Sequence, residues 1–266
     1  MIKLRAGQQL TDQIWTTLKE VQLVLVNALS QSEIKGLTDW AALAENKLRL
    51  VLTRSELDRL VLTPRLVAIA STPSVSVPLL QMAISELTDA VDRWNTEINE
   101  LEASRERWVA ADYLVAPDTN VYMHWPELFN EIDWHGVSKL PVMEDLGVVI
   151  PMQIVDELDN LKQRASTTDG KTRARKTMAK IAQLFADSSP SPSRRIHPAT
   201  NDHGSTTLEV LADPIGHERL AIADDEIVSR LVSLQALSNR TVRVATYDFG
   251  MAFRARQSGL EVIHLE

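Results

Sequence analysis

The sequence predicts an α/β domain with a parallel sheet and helices on both faces over residues 111–266, preceded by a mainly α-helical domain over residues 1–110. Three observations predict it. Apolar residues in the first part recur every three to four positions. From about Asp112, short apolar runs alternate with helical stretches, the pattern of a parallel sheet. Acidic residues recur just past those runs.

Composition narrows the class. The chain has 266 residues, 28 basic and 36 acidic side chains, and a formal charge of −8. That excludes a generally basic nucleic-acid binder but not a local basic patch. The absence of Cys excludes disulfide scaffolds, cysteine zinc sites, iron–sulfur clusters and cysteine nucleophiles. Apolar runs such as Leu66–Ala70 fall far short of the ~20 residues of a membrane span. The N-terminus lacks the apolar core of a secretory signal. A cytoplasmic location is the expectation.

In chain order, Ile14, Leu18, Val21, Leu25 and Leu29 mark a first helix. Trp40, Leu43, Leu48 and Val51 mark a second, over roughly Asp39–Arg54. Pro64, Pro73 and Pro78 punctuate the next stretch, where Leu66–Ala70 reads as a short strand or a helical turn. A long helix then spans roughly Leu79–Trp108, with Val91, Trp94, Ile98, Leu101 and Trp108 near heptad spacing. That face predicts packing within the chain or, alternatively, self-association or a protein partner.

Five strands follow, at Tyr113–Ala116, Gly147–Ile150, Thr207–Leu211, Val242–Ala245 and Leu260–Ile263. The helices between them are Gln153–Gln163, Thr172–Phe185, Asp225–Ala236 and Gly250–Arg256. The Ser- and Pro-rich segment Asp187–Ser205 reads as an exposed loop.

Asp118 follows the first strand and Glu157 the second. Asp224 and Asp225 open a helix, and Asp248 follows the fourth strand. Taken alone, each Asp reads as an ordinary N-cap or first-turn acid. Together they carry more weight. All strands of a parallel sheet point the same way, so residues past their carboxyl ends gather on one edge. Carboxylates gathered there repel one another unless a positive group sits between them. A hard divalent cation suits that role and activates water against a phosphate.

Residues 112–266 resemble a PIN domain, a metal-dependent nuclease fold. Asp118-Thr119-Asn120 resembles the family's first acidic motif. Val149-Ile150-Pro151 leading into Val155–Lys162 resembles the second, with Glu157 at the metal position. Ala223–Val228 resembles the third, with Asp224 favoured over Asp225. Thr246-Tyr247-Asp248, followed by Met251 and Ala255, resembles the fourth. The stretch Lys171–Lys180 is most similar to PIN domains attached to PhoH-type ATPases.

The resemblance implies a three-layer α/β/α sandwich with strand order 3-2-1-4-5. It implies Mg²⁺ or Mn²⁺ held by Asp118, Glu157, Asp224 or Asp225, and Asp248. Polar support would come from Thr119, Asn120 and Thr246. The implied activity is hydrolysis of RNA phosphodiesters, in a toxin of a toxin–antitoxin pair or an RNA-processing enzyme. Toxins of the VapC type are little more than the PIN domain itself, so the helical part argues for another setting. A PIN-fold RNA-binding scaffold without catalysis is the alternative. A structure-specific DNA nuclease is a third reading, with no helical arch to favour it.

Residues 160–180 hold seven basic side chains and one acidic. Among them Lys162, Arg164, Lys171, Arg173, Arg175 and Lys176 are candidates to grip the backbone of single-stranded or structured RNA. Tyr122, Trp125, Tyr247 and Phe249 are candidates for base stacking, with core packing favoured for most of them. Asp169-Gly170-Lys171-Thr172 is no P-loop, since no strand precedes it. His197 and His203 have no Cys partners, so zinc is not expected.

Overall fold

The computed structural model describes residues 2–187, 191–214 and 216–266. It divides into two compact units: Met1–Glu106 with Ala236–Asn239, and Arg107–Gln235 with Arg240–Glu266.

The first unit is built on α1 (Asp12–Gln31), α2 (Ile34–Leu48), α3 (Arg54–Leu60), α4 (Pro64–Ala70) and most of α5 (Val77–Arg107). Thr11, Thr53 and Thr63 cap α1, α3 and α4 by accepting a backbone N–H three residues on. Thr63 and Pro64 make Leu66–Ala70 a helix rather than a strand, because proline at the first helical position has its φ already set. The helix expected over Asp39–Arg54 is α2, which begins at Ile34 and ends at Leu48; α3, which starts at Arg54, is additional.

The core joins Leu18, Val21 and Leu25 of α1 to Trp40 of α2 and Trp94, Ile98 and Leu101 of α5. Trp40 and Trp94 meet edge to face, 6.5 Å between centroids, and the Trp40 indole N–H donates to the Val21 carbonyl at 3.2 Å. The near-heptad face of α5 is therefore spent inside this unit; Trp108, expected on the same helix, lies just past its end and belongs to the core of the second unit.

The second unit contains β1 (Tyr113–Pro117), α6 (Thr119–His124), α7 (Trp134–Ser138), β2 (Leu146–Pro151), α8 (Met152–Arg164) and α9 (Thr168–Leu184). It continues with β3 (Ser193–His197), β4 (Thr206–Leu211), α10 (Ala223–Ser238), β5 (Thr241–Thr246), α11 (Phe249–Gln257) and β6 (Glu261–His264). One six-stranded sheet runs β3-β4-β2-β1-β5-β6. Its five expected strands lie parallel in the expected order. Every residue of β2 is buried, so helices cover both faces of the sheet.

The loop expected over Asp187–Ser205 is corrected: Ser193–His197 forms β3, an antiparallel edge strand on β4. Residues 188–190 of that stretch lie outside the described residues. The sequence around β3, Ser-Arg-Arg-Ile-His, is polar because an edge strand packs on one side only, which hides it from a search for apolar runs. α6 and α7 are also additional; at six and five residues they are too short for helical periodicity to register.

β1 is the strand at which the order reverses, with β2 on one side and β5 on the other. In an open α/β sheet that reversal opens a crevice beyond the carboxyl ends. No helix among the described residues is long and apolar enough to cross a membrane.

Candidate metal centre

Asp118 stands in that crevice. It caps α6, its Oδ1 accepting the Val121 N–H at 3.0 Å. Its own N–H donates to the Ala245 carbonyl of β5 at 2.9 Å, which ties the end of β1 to β5. Thr246, fully buried at the end of β5, donates its hydroxyl to Asp118 Oδ2. The same hydroxyl accepts the Asp248 N–H at 2.9 Å. Asp248 caps α11 through the Met251 N–H at 2.8 Å. The Thr246 hydroxyl thus holds the Asp118 carboxylate directly and holds Asp248 by its backbone N–H.

From the β2 side, Glu157 is oriented at both oxygens. Thr119 donates to Oε2, and Gln153, one turn earlier on α8, donates to Oε1 at 3.1 Å. Asp224 and Asp225 sit in the first turn of α10. Arg254 of α11 approaches them, at 3.8 Å from Asp224 and 3.2 Å from Asp225.

The electrostatics bind these pieces together. Burial raises the Asp118 carboxyl above its ordinary range; hydrogen bonds from Thr246, Val121 and Asn120 work against this, and the charge of Asp248 adds to it. Burial also raises Asp224, Arg254 opposes, and Asp248, Glu157 and Asp225 raise it further. Four segments far apart in sequence therefore present carboxylates that feel one another. The donors are all hard oxygens, and the positive group that bears on Asp224 is Arg254. The buried Tyr122 hydroxyl has no hydrogen-bond partner, and its ionisation is pushed up by burial and by Asp118. This set fits a divalent cation bound through oxygen.

The supporting residues divide. Thr119 and Thr246 act on the carboxylates. Asn120 contributes its backbone N–H to Asp118, while the residue itself is exposed. Sequence reading missed Gln153 and Arg254. Gln153 was legible as the residue four before Glu157 on one helix face. No spacing announces Arg254.

A second group, Asp213, His217 and Glu226, also brings ligand-type atoms within 4.8 Å of one another. Its atoms are already engaged. Arg219 donates to Asp213 at 2.7 Å, and Arg230 lies 3.8 Å from it. Glu226, fully buried, takes His217 at 2.6 Å and the Leu220 N–H at 2.9 Å. Two arginines already neutralise this group, so it pins the chain between β4 and α10 rather than inviting a cation. Arg219 continues to Asp156 and Gln153 on α8, at 2.6 and 3.2 Å.

The basic stretch also divides. Arg164, with Thr119, Glu157, Asn160 and Leu161, lines a hollow of about 260 Å³ against the acidic site. Arg175 and Lys176 on α9 are exposed, Lys171 is half-buried, and Lys162 pairs with Asp159. Arg173 is a correction. Its guanidinium donates to the carbonyls of Tyr122, Pro126, Trp125 and Glu127, so it staples α9 to the segment after α6 and is not free to grip phosphate. Arg173→Ala is expected to cost about 2–3 kcal/mol, since charge-assisted bonds contribute about 1.5–3 kcal/mol each and some carbonyls regain water. Lys176→Ala should leave the melting temperature nearly unchanged. Thermal melts of the two variants check this; a larger loss for Lys176→Ala would return Arg173 to the phosphate-gripping set.

A family model of the PIN domain matches residues 115–266, more than half of the chain. No curated protein matches it.

Proposed function

Because this chain belongs to the PIN-domain family, whose members are generally metal-dependent nucleases, we propose that it is an endoribonuclease that hydrolyses RNA phosphodiesters with Mg²⁺ or Mn²⁺. The observation that carries this reading is the convergence of Asp118, Glu157, Asp224 and Asp248 at the strand reversal, where burial raises Asp118 and Asp224 and the neighbouring carboxylates add to it. A scaffold has no use for repelling charges held by hydrogen-bonded threonines. When bound, the cation lowers the pKa of water and offsets charge on the phosphate.

Asp118, Glu157, Asp224 and Asp248 hold the cation, with Asp225 paired to Arg254 beside them. Thr246 and Thr119 keep the Asp118 and Glu157 oxygens turned into the crevice. Arg164 and, further along α9, Arg175 and Lys176 attract the backbone. RNA processing suits a chain with a large helical unit better than a minimal toxin does.

Incubation with single-stranded RNA, structured RNA and single-stranded DNA, with Mn²⁺, Mg²⁺ or EDTA, tests the reading. Cleavage of RNA that stops in EDTA is the expected result. Cleavage indifferent to EDTA overturns the metal mechanism, and RNA binding without cleavage under any metal favours the scaffold.

Cation binding has a second readout. At a hundredfold excess over its dissociation constant, a cation that binds only the folded state adds about 2.7 kcal/mol, or roughly 5–10 °C in melting temperature. Asp118 and Asp224 have raised folded-state pKa values, so their charged forms oppose folding as pH rises through those values, and a cation relieves this. The cation-induced gain should therefore be largest near neutral pH. It should shrink as pH falls, starting above the ordinary carboxylate range. A gain independent of pH between 4 and 8 contradicts the site.

A further inference from the structure

Phe249 and Phe253 are two of the chain's four phenylalanines, and they are 69% and 60% exposed on α11. The other two, Phe129 and Phe185, serve the core. Burying such a ring is worth about 1.5–3 kcal/mol, so two on one helix face left in water call for another use. Phe249 follows Asp248 directly, and Phe253 lies one turn further on the same side.

The Phe249 ring is also backed. His264 lies against it, centroids 4.3 Å apart and planes tilted by 30°. His264 ends β6, opposite Thr246 in the parallel register, and the Leu265 N–H donates to the Thr246 carbonyl at 2.9 Å. Thr246 is the residue that holds Asp118. Neighbouring strands are about 4.8 Å apart, so the stacked pair stands one strand outward from the carboxylates, on the same sheet edge. One face of the ring is covered by the imidazole and the rest is open.

Charge favours a nucleic acid over an acidic or neutral partner. In a chain of net charge −8, α11 carries no acidic residue; its Arg254 faces Asp224 and Asp225, and its exposed Arg256, three residues past Phe253, supplies the positive charge beside the rings. A strand whose phosphate reaches the carboxylate crevice has a base within reach of this ring, and every base offers a π-face to stack.

Resting on the ribonuclease reading above, we propose that Phe249, backed by His264, is a stacking platform for an unpaired nucleobase next to the scissile phosphate, with Phe253 as the side wall. The site thereby selects single-stranded over fully paired RNA, because a base within a duplex cannot present its face.

The test uses the full chain in EDTA, where cleavage is off, and a single-stranded RNA carrying 2-aminopurine, whose fluorescence is quenched on stacking. Wild-type protein should quench the probe. Phe249→Ala should abolish the quenching and weaken binding by roughly 5- to 150-fold, the worth of one stacked base. Phe249→Trp should keep both. On RNA with an abasic position in place of the contacted base, wild type and Phe249→Ala should bind alike. The side chain is exposed, so a melt matching wild type is expected and separates loss of binding from loss of fold. If wild type cleaves RNA but Phe249→Ala binds and quenches as wild type does, the platform is wrong and the ribonuclease reading stands; a protein partner for the two rings is then favoured. If wild type neither binds nor cleaves RNA, both fall.

Discussion

Asp118→Asn is expected to lower metal-dependent RNA cleavage by more than about 100-fold while leaving the protein folded. Loss of an outer partner of a metal ligand alone costs roughly 10- to 100-fold, and this change removes a charged ligand itself. The fold should tolerate it. Asparagine caps a helix as well as aspartate does, so the Val121 N–H keeps its acceptor. The Thr246 hydroxyl, which donates to Asp118, can turn and accept from the new amide. The sign of the stability change is also set. Asp118 has a raised folded-state pKa, so above that pKa its charged form opposes folding, and a neutral side chain removes the opposition. In EDTA near neutral pH the variant should melt at or above the wild-type temperature. In Mg²⁺ the order should reverse, because only the wild type gains. Single-turnover cleavage and paired melts measure both. A folded variant with activity within tenfold of wild type sinks the mechanism.

The second large effect is on stability. Arg107 is expected to be worth about 2–3 kcal/mol, or roughly 5–10 °C in melting temperature. Glu209 in the middle of β4 is 2% exposed and bonded to Arg107. Without that partner a charge is left buried, which costs about 3–5 kcal/mol in a fully enclosed pair; Arg107 is partly exposed, so the lower end applies. Burial already raises the Glu209 carboxyl despite Arg107, and removing the arginine raises it further. For such a group the charged form costs stability above the folded-state pKa and nothing once it is protonated in both states. The penalty of Arg107→Ala should therefore be full near neutral pH and fade as pH falls towards the ordinary value of 4.5. Adding Glu209→Gln should recover much of it. A penalty constant across pH, or unrelieved in the double variant, contradicts an ionic origin.

The chain's grammar was legible where a single period dominates. β2 reads as an apolar run because it is buried on both faces, and helical stretches alternate with such runs, so the parallel sheet followed; its order came from the likeness to the PIN domain. The same logic singled out Asp118, Asp224 and Asp248, since each stands at a strand end or helix start that the pattern marks; Glu157, inside α8, was singled out by the likeness to the family's second motif. β3 escaped because an edge strand needs only half its side chains apolar. Arg173 was misread because charge in a sequence carries no direction, and only folding shows that four carbonyls surround it. Phe249 stood among four aromatic candidates that the sequence could not separate, because exposure is not written in a sequence; folding leaves it 69% exposed and buries Tyr122.

By itself the sequence determined the helical region, the α/β region and which acidic residues follow strands or open helices, because these depend on periodicity and local chain direction; the strand order came from the likeness of its motifs to the PIN domain. Only the tertiary structure decided that Thr246 and Thr119 orient two of those carboxylates, that Arg254 approaches two more, and that a ring lies open beside them. Those facts arise where separate elements meet, up to 128 residues apart for Thr246 and Asp118, and packing rather than local pattern chooses the partners there.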